Sequence, residues 1–117
     1  MIELYLQSKK TFTFNVTIEG VDPSSLDAYL RIRIDNIELG FQGEISQNHI
    51  VVTVPALRKF LKLDLNKTYE IRLEVCGSGF YVLAWKNTVQ FKPSIAVKNL
   101  TSKSYNIPRI ILKRRLS

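Results

Sequence analysis

Apolar side chains recur at every second position in several stretches of this chain, and only an extended strand places alternate residues on one face. Phe12, Phe14, Val16 and Ile18 alternate with Thr11, Thr13, Asn15 and Thr17. Tyr69, Ile71, Leu73 and Val75 alternate with Glu70, Arg72 and Glu74. Ala28, Leu30, Ile32 and Ile34 oppose Tyr29, Arg31, Arg33 and Asp35, and Ile37, Leu39 and Phe41 continue the pattern. The run 50–54 ends at Pro55, and 80–85 and 88–91 read as two strands separated by Lys86-Asn87. Such a chain must form sheet with one face buried and the other in water.

The punctuation between these runs is turn chemistry. Residues 20–25 contain Asp22-Pro23, and Asp35-Asn36, Gln47-Asn48, 64–67 and Gly77-Ser78-Gly79 supply further turns. Gly40 and Gly43 inside one strand point to a bend or bulge. Leu57, Phe60 and Leu61 are spaced i, i+3, i+4, which predicts one short helical turn over 55–63 with Pro55 near its start. Roughly six to eight short strands with turns about every 8–12 residues predict an all-β fold, an antiparallel β-sandwich.

The charge is distributed unevenly. Residues 1–85 carry nine basic and ten acidic side chains, a net of −1. The last acidic residue is Glu74, and the eight later charges are all positive, bringing the total to +7. The expected organisation is a β-sandwich body over 1–92 and an extended basic C-terminal arm over 93–117. Ile95, Val97, Leu100, Tyr105, Ile107, Ile110, Ile111, Leu112 and Leu116 are interspersed with the arm's charges. A purely electrostatic tail would carry fewer apolar residues. Residues 107–112 could form an extended strand, which Pro108 would confine to a sheet edge or a partner's surface.

Candidate chemistry is sparse. At 117 residues, 45% hydrophobic and 23% charged, the chain can build its own core. Cys76 is alone, so no internal disulfide can form, and a reducing setting is expected. No run reaches the roughly 18–20 apolar residues of a membrane-spanning helix. Met1-Ile2-Glu3-Leu4 lacks the basic start and apolar core of a secretory signal, so neither membrane insertion nor signal-directed secretion is expected. His49, the one histidine, falls beside a turn and has no second His to make a zinc site with. Glu70, Arg72 and Glu74 share a strand face and are expected to make exposed cross-strand pairs. Phe80, Tyr81 and Trp85 form an aromatic cluster whose alternate members are expected to fill the core rather than form a base- or sugar-stacking platform. The chain is therefore read as non-enzymatic, with no catalytic residue, cofactor, metal or small-molecule substrate.

The arm carries the functional expectation. Its apolar residues favour docking on protein, with Ile107, Ile110, Ile111 and Leu112 as anchors and Lys98, Lys103, Arg109, Lys113, Arg114 and Arg115 holding the surface. The partners expected are protein subunits of a larger assembly. The alternative is nucleic acid, with the same cations neutralising phosphates. A third option is a solvated basic edge with no specific role.

Two resemblances bear on this. The stretch Leu65-Asn66-Lys67-Thr68-Tyr69, leading into an alternating strand, resembles the tyrosine corner of immunoglobulin-like and fibronectin-type domains. It implies an immunoglobulin-like sandwich whose Tyr69 hydroxyl bonds back to the preceding corner; the Cys–Trp–Cys core of antibody domains is absent. Residues 40–45, 52–57, 73–81 and Ala84-Trp85 resemble small β-sandwich virion or prohead proteins of large tailed bacteriophages. That likeness spans about residues 10–91 and excludes the arm. It implies a capsid decoration, cement or scaffold-associated protein located in the virion, whose partner is a capsid protein.

Overall fold

The structure, a computed structural model, describes residues 1–57, 63–77, 79–93, 104–106 and 110–111. The fold is all-β. Strands run over Ile2–Tyr5 (β1), Lys10–Asn15 (β2), Ile18–Glu19 (β3), Leu26–Ile34 (β4), Ile37–Ile45 (β5), His49–Val54 (β6), Thr68–Gly77 (β7) and Phe80–Lys92 (β8). Two short strands follow in the arm, Ser104–Asn106 (β9) and Ile110–Ile111 (β10). Eight of them form one sheet in the order β1-β8-β7-β4-β5-β6-β2-β9, and β10 pairs with β3. The ladders from β8 across to β2 are antiparallel, whereas β1 on β8, β9 on β2 and β10 on β3 are parallel.

The alternation in the sequence becomes the inner face of this sheet. Phe12 and Phe14 of β2, Leu30 and Ile32 of β4, Ile50 and Val52 of β6, Ile71 and Leu73 of β7, and Val89 and Phe91 of β8 are all fully buried. Each such side chain contributes about 1.5–3 kcal/mol by leaving water. The sheet buries them by curling on itself. Phe14 of β2 meets Trp85 of β8 edge-on at 5.0 Å between ring centroids, although four strands separate β2 from β8 in the sheet.

Strand β5 makes the corner. Its first part pairs with β4 as far as Ala28↔Gly43, and its last two residues pair with β6 as Glu44↔Val51 and Ile45↔Ile50. A side chain on Gly43 would lie 2.6 Å from a Val52 methyl and 3.1 Å from the Val51 carbonyl oxygen. Glycine is therefore the residue that lets β5 pass from one neighbour to the other.

Several turns fall where the sequence puts them. Asp35-Asn36 closes the β4–β5 hairpin between the paired Ile34 and Ile37, with Asp35 at φ 52°, as a two-residue turn of this hand requires. Gly79, at φ 81°, lies in the connection that closes on Gly77↔Phe80. Tyr69 is buried, and its hydroxyl accepts a hydrogen bond from the Asp64 backbone N–H at 3.2 Å, the corner bond that the Tyr69 resemblance implied.

Three expectations change. Residues 55–57 carry no helix, and 58–62 lie outside the described residues. The helical turn that is described is a 3-10 turn at Pro23–Ser25, where the Asp22 carboxylate accepts the Ser24 N–H at 3.0 Å. The second change is at Lys86-Asn87, which does not break the chain: β8 runs through it, paired as Arg72↔Lys86 and Ile71↔Asn87. The irregularity comes two residues earlier. Leu73 pairs with Trp85 but Glu74 with Leu83, so Ala84 is an extra residue. A bulge of this kind reverses which alternate residues face inward. Phe80 and Val82 pack against the core before it, Trp85 packs inward after it, and Tyr81 is left 63% exposed. Finally, three of the ladders are parallel, where an antiparallel sheet was expected.

Gly43→Ala is expected to lower stability by about 1–3 kcal/mol, the usual cost of overpacking. Tyr69→Phe is expected to cost about 1 kcal/mol for the lost corner hydrogen bond. Chemical denaturation of each variant checks both.

Candidate interaction surfaces

Two surfaces combine specific side chains with exposure. The first is where the arm meets the body. Strand β9 adds to the free edge of β2 in parallel, with Thr13↔Ser104, Phe14↔Tyr105 and Asn15↔Asn106 in register. Tyr105 lies against three rings, at centroid distances of 5.9 Å to Phe12, 5.6 Å to Phe14 and 5.1 Å to Trp85. Aromatic pairs in such offset or tilted arrangements contribute about 0.5–1.5 kcal/mol each beyond the area they bury. Burial holds the Tyr105 hydroxyl above its ordinary pKa. Further on, β10 pairs with β3 as Ile110↔Ile18 and Ile111↔Glu19.

Of the arm residues singled out from sequence, Ile110 and Ile111 thus fall in a strand that pairs within the chain. Lys98, Lys103, Ile107, Arg109, Leu112, Lys113, Arg114 and Arg115 lie outside the described residues. Tyr105 is the anchor that sequence reasoning passed over. Its signal was available, because it is the single aromatic residue in 93–117.

The second surface is the outer face of β8, β7, β4 and β5. The strand registers set Lys86, Arg72, Arg31 and Gly40 in one row across the four strands. The next row on one side holds Leu83, Glu74, Tyr29 and Gln42, and on the other Thr88, Glu70, Arg33 and Glu38. Glu74, expected to be exposed, is only 6% exposed. Its carboxylate accepts hydrogen bonds from Arg31 Nε, from the Tyr81 hydroxyl and, at 2.9 Å, from Arg72 Nε. Arg72 also pairs with Glu38 and, at 3.6 Å, with Glu70, which Lys86 approaches at 3.7 Å. The Arg31 guanidinium lies 5.0 Å over the Tyr29 ring.

These long side chains roof the carboxylate, so its position facing out of the sheet does not expose it. Burial is the strongest single influence on Glu74 and pushes its pKa up. The donors Tyr81, Arg72 and Arg31 together outweigh it, and the net direction is down. Tyr81 is shifted up, chiefly by its hydrogen bond to that carboxylate. With its oxygens engaged by three donors, Glu74 ties β4, β7 and β8 together. Tyr81 and Trp85 face opposite sides of β8, so they cannot share a flat sugar- or base-stacking platform. His49 is exposed, and Cys76 is a half-buried free thiol. Among the described residues no three His, Cys, Asp or Glu side chains group as metal ligands. No helix among them is long and apolar enough to cross a membrane.

Comparison with protein-family models, with curated proteins and with solved structures finds no match to this chain.

Because the folded-state pKa of Glu74 is depressed, its contribution is present above the unfolded carboxylate value and is lost as pH falls through the folded one. Glu74→Gln is expected to cost about 2 kcal/mol at neutral pH and to flatten the acid side of the stability profile, which thermal unfolding across acidic pH measures. At the other surface, Tyr105→Ala is expected to shift the emission of Trp85, the single tryptophan, to the red. Proteolysis of that variant should speed up within 94–117 while the body survives.

Proposed function

We propose that this is a non-enzymatic structural protein of a larger assembly, a body over 1–92 whose arm over 93–117 docks to neighbouring subunits. The observation that carries the proposal is the way the arm binds. It adds as a strand to a sheet edge and seats one aromatic ring in an apolar site, which is a common mode of peptide capture between proteins. The finer architecture proposed is an immunoglobulin-like β-sandwich. With β2, β4, β6, β7 and β8 taken as strands B, C, E, F and G, strand F lies between C and G, and E lies beside B, as in that fold. The Tyr69 corner bond supports the same assignment. The resemblance to prohead and virion proteins makes a phage particle the proposed setting, with a capsid protein as partner and the virion as location.

A second reading has one observation in its favour. Ser104–Asn106 and Ile110–Ile111 are paired to the body, and the cations Lys103 and Arg109 adjoin them in sequence. Basic residues next to strands held on the body suit phosphate binding by nucleic acid.

Truncation after Phe91 separates these readings from a passive arm. The assembly reading expects a truncated chain that keeps its β circular dichroism but no longer co-sediments with large particles in a density gradient. A truncated chain that still co-sediments would rule that reading out. For the nucleic-acid reading, duplex binding should fall steeply with salt and survive replacement of Ile110, Ile111 and Leu112 by Ser. Loss of binding on those replacements, with little salt dependence, would contradict it.

A further inference from the structure

The two arm strands follow a single track. Ser104 to Asn106 pair with Thr13 to Asn15, and Ile110 and Ile111 pair with Ile18 and Glu19. Both ladders are parallel, and the offset between arm and track is 91 residues in the first and 92 in the second. The two described stretches of the arm therefore run in the same direction as the segments they pair with, and their registers differ by one residue.

In the strand order this track lies at the other end from the strand the arm leaves. Strand β8 ends beside β1, at the opposite end of the strand order from β9. Eleven residues, 93–103, join the two and can span up to roughly 36 Å when extended. In the sheet's hydrogen-bond ladder, β9 pairs with β2 and with no other described strand. Lifting it away would bare an unpaired edge and the Phe12, Phe14 and Trp85 rings, a combination that invites pairing with another chain.

We propose that the arm is an exchangeable strand. In the assembled state, Ser104–Asn106 and Ile110–Ile111 of one chain pair with 13–15 and 18–19 of a second copy, and Tyr105 seats against that copy's Phe12, Phe14 and Trp85. The proposal rests on the assembly reading above and specifies how its arm engages. Closure within one chain and closure between two use the same ladders and the same ring contacts, so they differ only in linker cost and concentration. A connection of about eleven residues gives an effective concentration of the order of millimolar, which packed subunits themselves reach. Exchange then links neighbours without needing any new complementary surface.

Full-length protein tests this directly. One tagged chain carries Thr13→Cys and a differently tagged chain carries Ser104→Cys, both with Cys76→Ala. The two positions are register partners on strands about 4.8 Å apart, within the reach of a disulfide. The chains are refolded together from denaturant at high concentration and oxidised. A chain with both cysteines serves as the check on register and should close internally. The proposal expects a mixed-tag disulfide dimer in about tenfold excess over the homodimer formed by either single-cysteine chain alone, and a large loss of it on adding Tyr105→Ala. Complete internal closure of the double-cysteine chain with no mixed dimer would overturn exchange. Failure of internal closure would overturn it too, because the track itself would be wrong. Light scattering separates this from failure of the assembly reading: oligomers without the mixed disulfide leave assembly standing and remove exchange alone.

Discussion

A sheet with one apolar face must bury that face, and this one buries it against itself. The first and last thirds of the strand order meet through Phe14 and Trp85, and every inward residue of β2, β4, β6, β7 and β8 depends on that closure. Closure in turn depends on β5 changing partners at Gly43, where no side chain fits. Curling leaves the sheet with two ends, and each end carries a short parallel strand, β1 on β8 and β9 on β2. The placement of β9 follows from this geometry, because the β2 edge and the ring site beside it exist only in the curled sheet.

The outer face solves a different problem. Arg31 and Arg72 are directly opposed in register, and like charges so placed repel. Glu74, Glu70 and Glu38 sit around them, and the Glu74 carboxylate bonds to both guanidiniums. The same arrangement explains the buried acid: its hydrogen bonds offset the cost of removing it from water. The cluster is a structural tie across four strands.

Much of this was legible in the sequence, for a definite reason. Period-two alternation states which side chains face inward, and the inward sets of β2, β4 and β7 are the ones the alternation gives. Asp35-Asn36 and Tyr69 carried their own local chemistry and form the turn and the corner bond they implied. Alternation says nothing about which strand lies beside which, so the parallel placements of β1, β9 and β10 were invisible. The bulge at Ala84 was missed because a short apolar run looks alike in either phase, and the polar pair Lys86-Asn87 looked like the more natural break. Glu74 was taken as exposed because its shielding depends on Arg31, which is 43 residues away in the chain. Tyr105 was overlooked in favour of the Ile and Leu residues around it, since its ring partners lie on two distant strands.

The central claim is that the C-terminal arm is a strand of the fold and is held there by Tyr105. Hydrogen exchange of the full-length protein, read by mass spectrometry over peptides covering 104–106 and 13–15, tests it most directly. The account predicts protection at least roughly 100-fold above a free chain in both segments, lost together from both when Tyr105 is replaced by Ala. Exchange of 104–106 at free-chain rates in the unaltered protein would contradict it.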